Sequence, residues 1–179
     1  MEGLPLDALT PARPRWPGRS ARGSVVLALA DEVFAGLPSD CVLPECRMVR
    51  KREFHLTLLS SQEAAAVECG LPVQAWATRF EVLDWSLRLT GEAWLLHEST
   101  QDGEAWALAA CAACPALEAF RDSIARASGV PLPRAPAHVT LFTTPGSRGI
   151  GLPSRAVFRA LRVRPVLQAP SAGGDQNPP

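Results

Sequence analysis

The sequence predicts a two-lobed α+β fold with a weak internal duplication, and three observations predict it. Two apolar runs, FHLTLL at 54–59 and AHVTLF at 137–142, each place a histidine two residues before a threonine. Strand-like alternation is interleaved with helix start and stop signals along residues 24–167, a length that suits one domain or two small lobes sharing a core. Each His-x-Thr run follows a helical segment within a β-rich half, so the halves share a pattern although they share little sequence.

The elements follow in chain order. Residues 1–23 repeat Pro, Arg and Gly without periodicity and read as a loosely ordered arm. SVVLALA at 24–30 is an apolar β-type run, followed by a short helical segment at 31–37. VLPECRMVRK at 42–51 fits no single period, whereas REFHLTLL at 52–59 alternates as a strand. SSQEAAAVECG at 60–70 reads as a helix: Ser60 or Ser61 caps it, Glu63 supplies the capping-box carboxylate, and Gly70 stops it. Strands are expected at 79–90, 92–98 and 105–111, the last two separated by the hairpin-like STQDGE. PALEAFRDSIARASG at 115–129 is the clearest helix. Pro115 opens it, Leu117, Phe120, Ile124 and Ala127 share one face, and Gly129 closes it. AHVTLFT at 137–143 is a strand, TPGSRGIG a glycine-rich loop, and 155–167 a final strand or short helix. The polar stretch QAPSAGGDQNPP at 168–179 has too little apolar surface to order itself and reads as a disordered tail. The folded body is therefore 24–167.

Composition narrows the function. Eighteen basic and eighteen acidic residues give no net charge, so contact with a polyanion has to come from local arginines rather than from the whole surface. Lys51 is the only lysine. No stretch approaches the roughly 20 apolar residues of a membrane span. The N-terminal residues lack the basic start and apolar core of a secretory signal. Five cysteines, an odd number without framework spacing, fit reduced thiols, and the expected location is cytoplasmic.

The two motifs carry the chemistry. In a strand, side chains two apart point the same way, roughly 7 Å apart. His55 and Thr57 therefore share one face, with Phe54, Leu56 and Leu58 on the other; His138 and Thr140 share a face opposite Ala137, Val139 and Leu141. Threonine is scarce at eight residues, so two of three histidines meeting one at the same offset is far from a chance expectation. Two such strands side by side would put two imidazoles and two hydroxyls around one cavity. That set suits in-line attack at phosphorus: a neutral histidine takes the proton of the entering oxygen and a protonated one supplies the leaving oxygen. Threonine hydroxyls donate to the non-bridging oxygens, where charge develops. An unperturbed imidazole pKa of about 6.5 keeps both protonation states within reach near neutrality. No metal or other cofactor is called for.

HLTL and HVTL, some 80 residues apart in a chain below 200, resemble the paired motifs of the 2H phosphoesterase superfamily, which includes RNA 2′,3′-cyclic phosphodiesterases (2′-5′ RNA ligase-like proteins). The resemblance covers about 24–165. It implies a bilobal, pseudo-twofold pair of β-sheet lobes with helices outside and both motifs in a central cleft. It also implies metal-free phosphodiester chemistry, with His55, Thr57, His138 and Thr140 at the functional positions. The substrate class it implies is an RNA terminus or a small cyclic nucleotide. One departure is Ala137, which stands directly before the second motif histidine where many members have proline.

Other residues are weaker candidates. Arg134 and Arg148 flank the second motif and have guanidinium forks suited to phosphate oxygens. His97 could complete a three-histidine zinc site with the other two, or simply sit on a sheet surface. Cys111 and Cys114 form C-A-A-C ahead of a helix, a weak redox or zinc signal best read as two small buried residues. Trp76, Trp85, Trp94 and Trp106 belong mostly to the core, with room for one to stack on a base in the cleft. Beside the phosphodiesterase stand two rival readings: a non-catalytic nucleotide or RNA-end binding module, and, more remotely, a zinc hydrolase or redox protein. No protein partner is indicated.

Overall fold

The period-two apolar runs form one antiparallel sheet, and the capped segments form the helices that cover it. The computed structural model of the chain describes residues 14–101, 103–147 and 149–167. The strands among them are β1 (Val25–Ala28), β2 (Asp40–Val42), β3 (Arg47–Arg50), β4 (His55–Leu59), β5 (Arg88–Thr100), β6 (Gly103–Ala113), β7 (His138–Thr143) and β8 (Arg162–Leu167). The helices are α1 (Ser61–Glu68), α2 (Val73–Glu81), α3 (Pro115–Ser128) and α4 (Arg155–Leu161), with one 3-10 turn at Asp31–Phe34. The order across the sheet is β1-β4-β7-β6-β5-β8, with β3 also on β7 and β2 on β3. The fold is thus α+β, with eight antiparallel strands and four α-helices among the described residues.

Two irregularities position the site. β3 and β4 lie against the same edge of β7: Arg50 pairs with Phe142 and Leu56 with Val139. Between those pairs five residues, 51–55, face two on β7, and the surplus of three at 52–54 is pushed out of the ladder. Phe54 anchors the bulge by stacking on Phe34, ring centroids 4.1 Å apart. On the other edge of β7 the register to β6 shifts between Leu108–Phe142 and Ala109–Thr140, which leaves Leu141 as the extra residue. Leu141 and Phe142 both enter the main core in consequence.

That core lies between one sheet face and α1, α2 and α3, around Trp76, Phe80, Trp85 and Phe120. α1 begins as expected: Ser60 Oγ accepts from the Glu63 N–H, and a Glu63 carboxylate oxygen accepts from the Ser60 N–H. α3 ends at Gly129, whose φ of 73° is the left-handed conformation that glycine adopts without strain. A smaller core on the opposite face packs Ile150, Leu152 and Phe158 over Leu96 and the small residues Ala105, Ala107 and Ala109. The short β6 side chains let the 149–153 segment and α4 approach the sheet closely.

Several expectations are corrected. The strand expected at 79–90 is displaced: 73–81 is α2, and β5 begins only at Arg88. The ambiguous 42–51 stretch supplies the end of β2 and all of β3, and the last segment is both a helix and a strand. Within the expected arm at 1–23, residues 14–23 are described, and Trp16 packs edge-on against Phe80 at 5.4 Å. Residues 1–13 and the expected tail at 168–179 lie outside the described residues. Among the described residues no helix is long and apolar enough to cross a membrane.

Candidate active site

β4 and β7 meet at one bridging pair, Leu56 opposite Val139, both fully buried. Carrying that antiparallel register one residue each way sets His55 opposite Thr140 and Thr57 opposite His138. Directly opposed side chains have Cβ atoms about 5 Å apart, and diagonal neighbours stand about 7–8 Å apart. The four side chains thus form a tile in which each imidazole faces a hydroxyl and the two imidazoles occupy a diagonal. The apolar residues beneath hold the tile to its face, because a one-residue slip would turn all four into the core. All four line a single cavity of about 470 Å³.

Its walls come from five places. Ser60, Ser61 and Gln62 of the α1 start close the end beyond Thr57, together with Arg22 and Ser24 before β1. Pro136 lies beside His138, and Ile150, Leu152 and Pro153 form an apolar side. Lys51, just before the β3–β4 bulge, closes the end nearest His55; its N–H donates to the Leu141 carbonyl at 2.9 Å. Apart from the two histidines, none of the described lining residues is aromatic. Trp76 and Trp85 are buried, Trp94 lies under Arg162 and Trp106 stacks on His97, so no tryptophan stands where a base could stack in the cavity.

Electrostatics favour neutral imidazoles. Burial pushes His138 below its ordinary pKa and the neighbouring His55 adds to the effect, against a raising hydrogen bond from the 136 backbone. That bond joins His138 Nδ1 to the Pro136 carbonyl at 2.9 Å. A carbonyl only accepts, so Nδ1 carries the proton and the neutral ring keeps its lone pair on Nε2. His55 is also lowered, by burial first and then by the Lys51 ammonium, with Glu53 opposing.

Beneath one wall, Arg121 ties the two motifs together. It is 5 % exposed, and its guanidinium donates to the Leu58 carbonyl (2.8 Å), to both Glu63 carboxylate oxygens (2.6 and 3.2 Å) and to the Pro133 carbonyl (2.7 Å). The end of β4, the first turn of α1 and the segment leading to His138 are thereby fixed to one side chain. Burial works to raise the Glu63 carboxyl, but the bonds from Arg121 and Ser60 outweigh it and hold the group low.

The remaining sequence candidates lie elsewhere. Arg134 is exposed and is not among the residues lining the cavity; the inward places of its extended segment go to Ala135 and Pro136. Arg148 lies outside the described residues. His97 sits on β5, bonded to Glu104 and stacked on Trp106 at 4.2 Å, away from the other two histidines. Among the described residues no cluster of His, Cys, Asp and Glu has the arrangement of a metal site. Cys111 is pushed up to about 11 by burial and then by Glu92, and burial raises Cys114 as well, which makes both poor thiolates. Sequence reasoning missed Lys51, Arg22 and Arg121. Only Lys51 left a signal, as the sole lysine four residues before His55. No family model, curated protein or solved structure matches the chain.

Proposed function

We propose that the protein is a metal-independent phosphodiesterase acting on cyclic or 2′-linked phosphodiesters of RNA ends or small nucleotides, in the manner of the 2H phosphoesterases. The observation that carries this reading is the β4–β7 register, which gathers two His-x-Thr pairs into one cavity. In this reading the antiparallel ladder is also the pseudo-twofold axis of two lobes. β1, β2, β3 and β4 stand on one side, and β7, β6, β5 and β8 on the other.

The chemistry follows from the tile. A phosphodiester anion between the imidazoles favours the protonated form of one of them, offsetting the burial that depresses both. The neutral imidazole removes a proton from the attacking water. The protonated one gives its proton to the departing ribose oxygen, so the ring opens to a monophosphate and the pair ends with its proton exchanged. Thr57 and Thr140 donate to the non-bridging oxygens as their charge grows. Which histidine acts first depends on how the substrate lies across the diagonal.

The test is turnover of an RNA oligomer ending in a 2′,3′-cyclic phosphate, with chelator present, by the native protein and by folded His55→Ala and His138→Ala variants. The expected result is ring opening by the native protein, a bell-shaped pH profile, and a loss of about 10²–10⁴-fold in each variant. Full activity in either variant, or activity abolished by chelation, overturns the mechanism. Tight binding of the oligomer without any product from it or from small cyclic nucleotides would leave a binding module on the same cavity.

A further inference from the structure

The tile has one electrostatic shortfall. A phosphodiester arrives with one negative charge, and attack by an oxygen nucleophile concentrates more on the non-bridging oxygens. Against this the tile offers two hydroxyls and one imidazolium, which burial disfavours and whose proton leaves with the departing oxygen. A fixed cation has to come from elsewhere in the cavity. Among the described residues three line it: Arg22, Lys51 and Arg121. Arg121 is committed to Glu63 and two carbonyls. Arg22 is exposed and lies beyond Thr57, at the rim beside Ser24 and the α1 start. Of these three, Lys51 is the one next to the tile. Its N–H continues the β3–β7 pairing, and the three-residue surplus at 52–54 bulges out between it and His55, at the end where His55 faces Thr140. Its backbone is pinned to Leu141, one residue beyond Thr140, and its ammonium is in no ion pair among the described residues.

We propose that Lys51 is the fixed positive charge of this centre, its ammonium neutralising a non-bridging oxygen of the bound phosphoryl group at the His55–Thr140 end. The Coulombic influence of Lys51 on His55 agrees with that closeness. The assignment rests on the phosphodiesterase reading for its catalytic part, but anion binding by Lys51 stands apart from it.

The chain's only lysine makes a chemical test specific. Acetylation removes the charge of Lys51, whereas reductive dimethylation keeps it; a Lys51→Arg protein treated in parallel controls for the N-terminal amine. The expected result is a loss of at least about 100-fold in kcat after acetylation, with dimethylated and Lys51→Arg proteins within about tenfold of native. Full turnover by the fully acetylated protein overturns the assignment while leaving the phosphodiesterase reading intact. A second arm needs no turnover: millimolar inorganic phosphate, at constant ionic strength, should slow acetylation of Lys51 several-fold, followed by mass spectrometry. Protection in a protein that hydrolyses nothing keeps the anion site and removes the phosphodiesterase. An unchanged acetylation rate overturns the anion site.

Discussion

Replacing Arg121 by alanine should loosen the protein and its cavity together. The side chain is 5 % exposed and its partners are almost as deep; the Glu63 side chain is 13 % exposed. Truncation leaves the Glu63 carboxylate with only the Ser60 N–H, at 2.8 Å, and strips a donor from the Leu58 and Pro133 carbonyls. Removing one member of a buried ion pair costs about 3–5 kcal/mol, because the remaining charge stays desolvated without a counter-charge. With a urea m-value of about 2 kcal/mol per molar, the unfolding midpoint should fall by roughly 2 M. A double-mutant cycle with Glu63→Gln isolates the pair, and its coupling energy should exceed about 1 kcal/mol. The Arg121→Ala protein, where it remains folded at low denaturant, should also lose turnover, since both motif segments hang on this guanidinium. A midpoint shift below about 0.5 M would refute the reasoning: it would mean that water reaches Glu63 freely and that the guanidinium holds nothing in place.

Two further outcomes follow from the same contacts. Because His55 and His138 are both lowered, the unfolded chain binds protons that the folded one resists; stability should be full above about pH 6.5 and decline as the pH falls through the window below it. Urea unfolding at pH 7.5 and 5.5 should show this loss in the native protein and a smaller one in a His55→Asn/His138→Asn variant. Glu63 acts in a separate window, its stabilisation fading only as the pH drops below the ordinary carboxylate range near 4.3. Trp16→Ala should cost about 2 kcal/mol, less than a fully buried tryptophan, because the ring is partly exposed but packs on Phe80 and Phe120. A change under about 0.5 kcal/mol in the urea midpoint analysis would mean that residues 14–23 contribute no packing.

What was legible in the sequence was local. The faces of His55, Thr57, His138 and Thr140 followed from strand alternation, and the α1 cap and the α3 face followed from residue spacing within one turn or two. α2 was misread because the alternation of Leu83, Trp85, Leu87 and Leu89 is strong and extends the strand pattern backward. The helical spacing of Val73, Trp76 and Phe80 behind Pro72 is the weaker signal. Nothing local announced the β7 partners. The Leu141 bulge and the three-residue surplus before β4 exist only as differences between two distant strands. That is why Lys51 and Arg121 escaped while the four motif residues did not: their positions depend on register and on partners more than 60 residues away in sequence for Arg121 with Leu58.

The single Leu56–Val139 bridge has a kinetic meaning as well. Its two strands are about 80 positions apart, so bringing them together closes a loop whose entropic cost, on the logarithmic length scale alone, is about 4 kcal/mol. The β5–β6 hairpin and each helix can form from neighbours in sequence, without that closure. A chain arrested at that stage would still lack the main core, which joins β1, β4 and β7 to the helices. His55 with Thr57 and His138 with Thr140 would still be two unconnected pairs on separate segments, with no cavity between them.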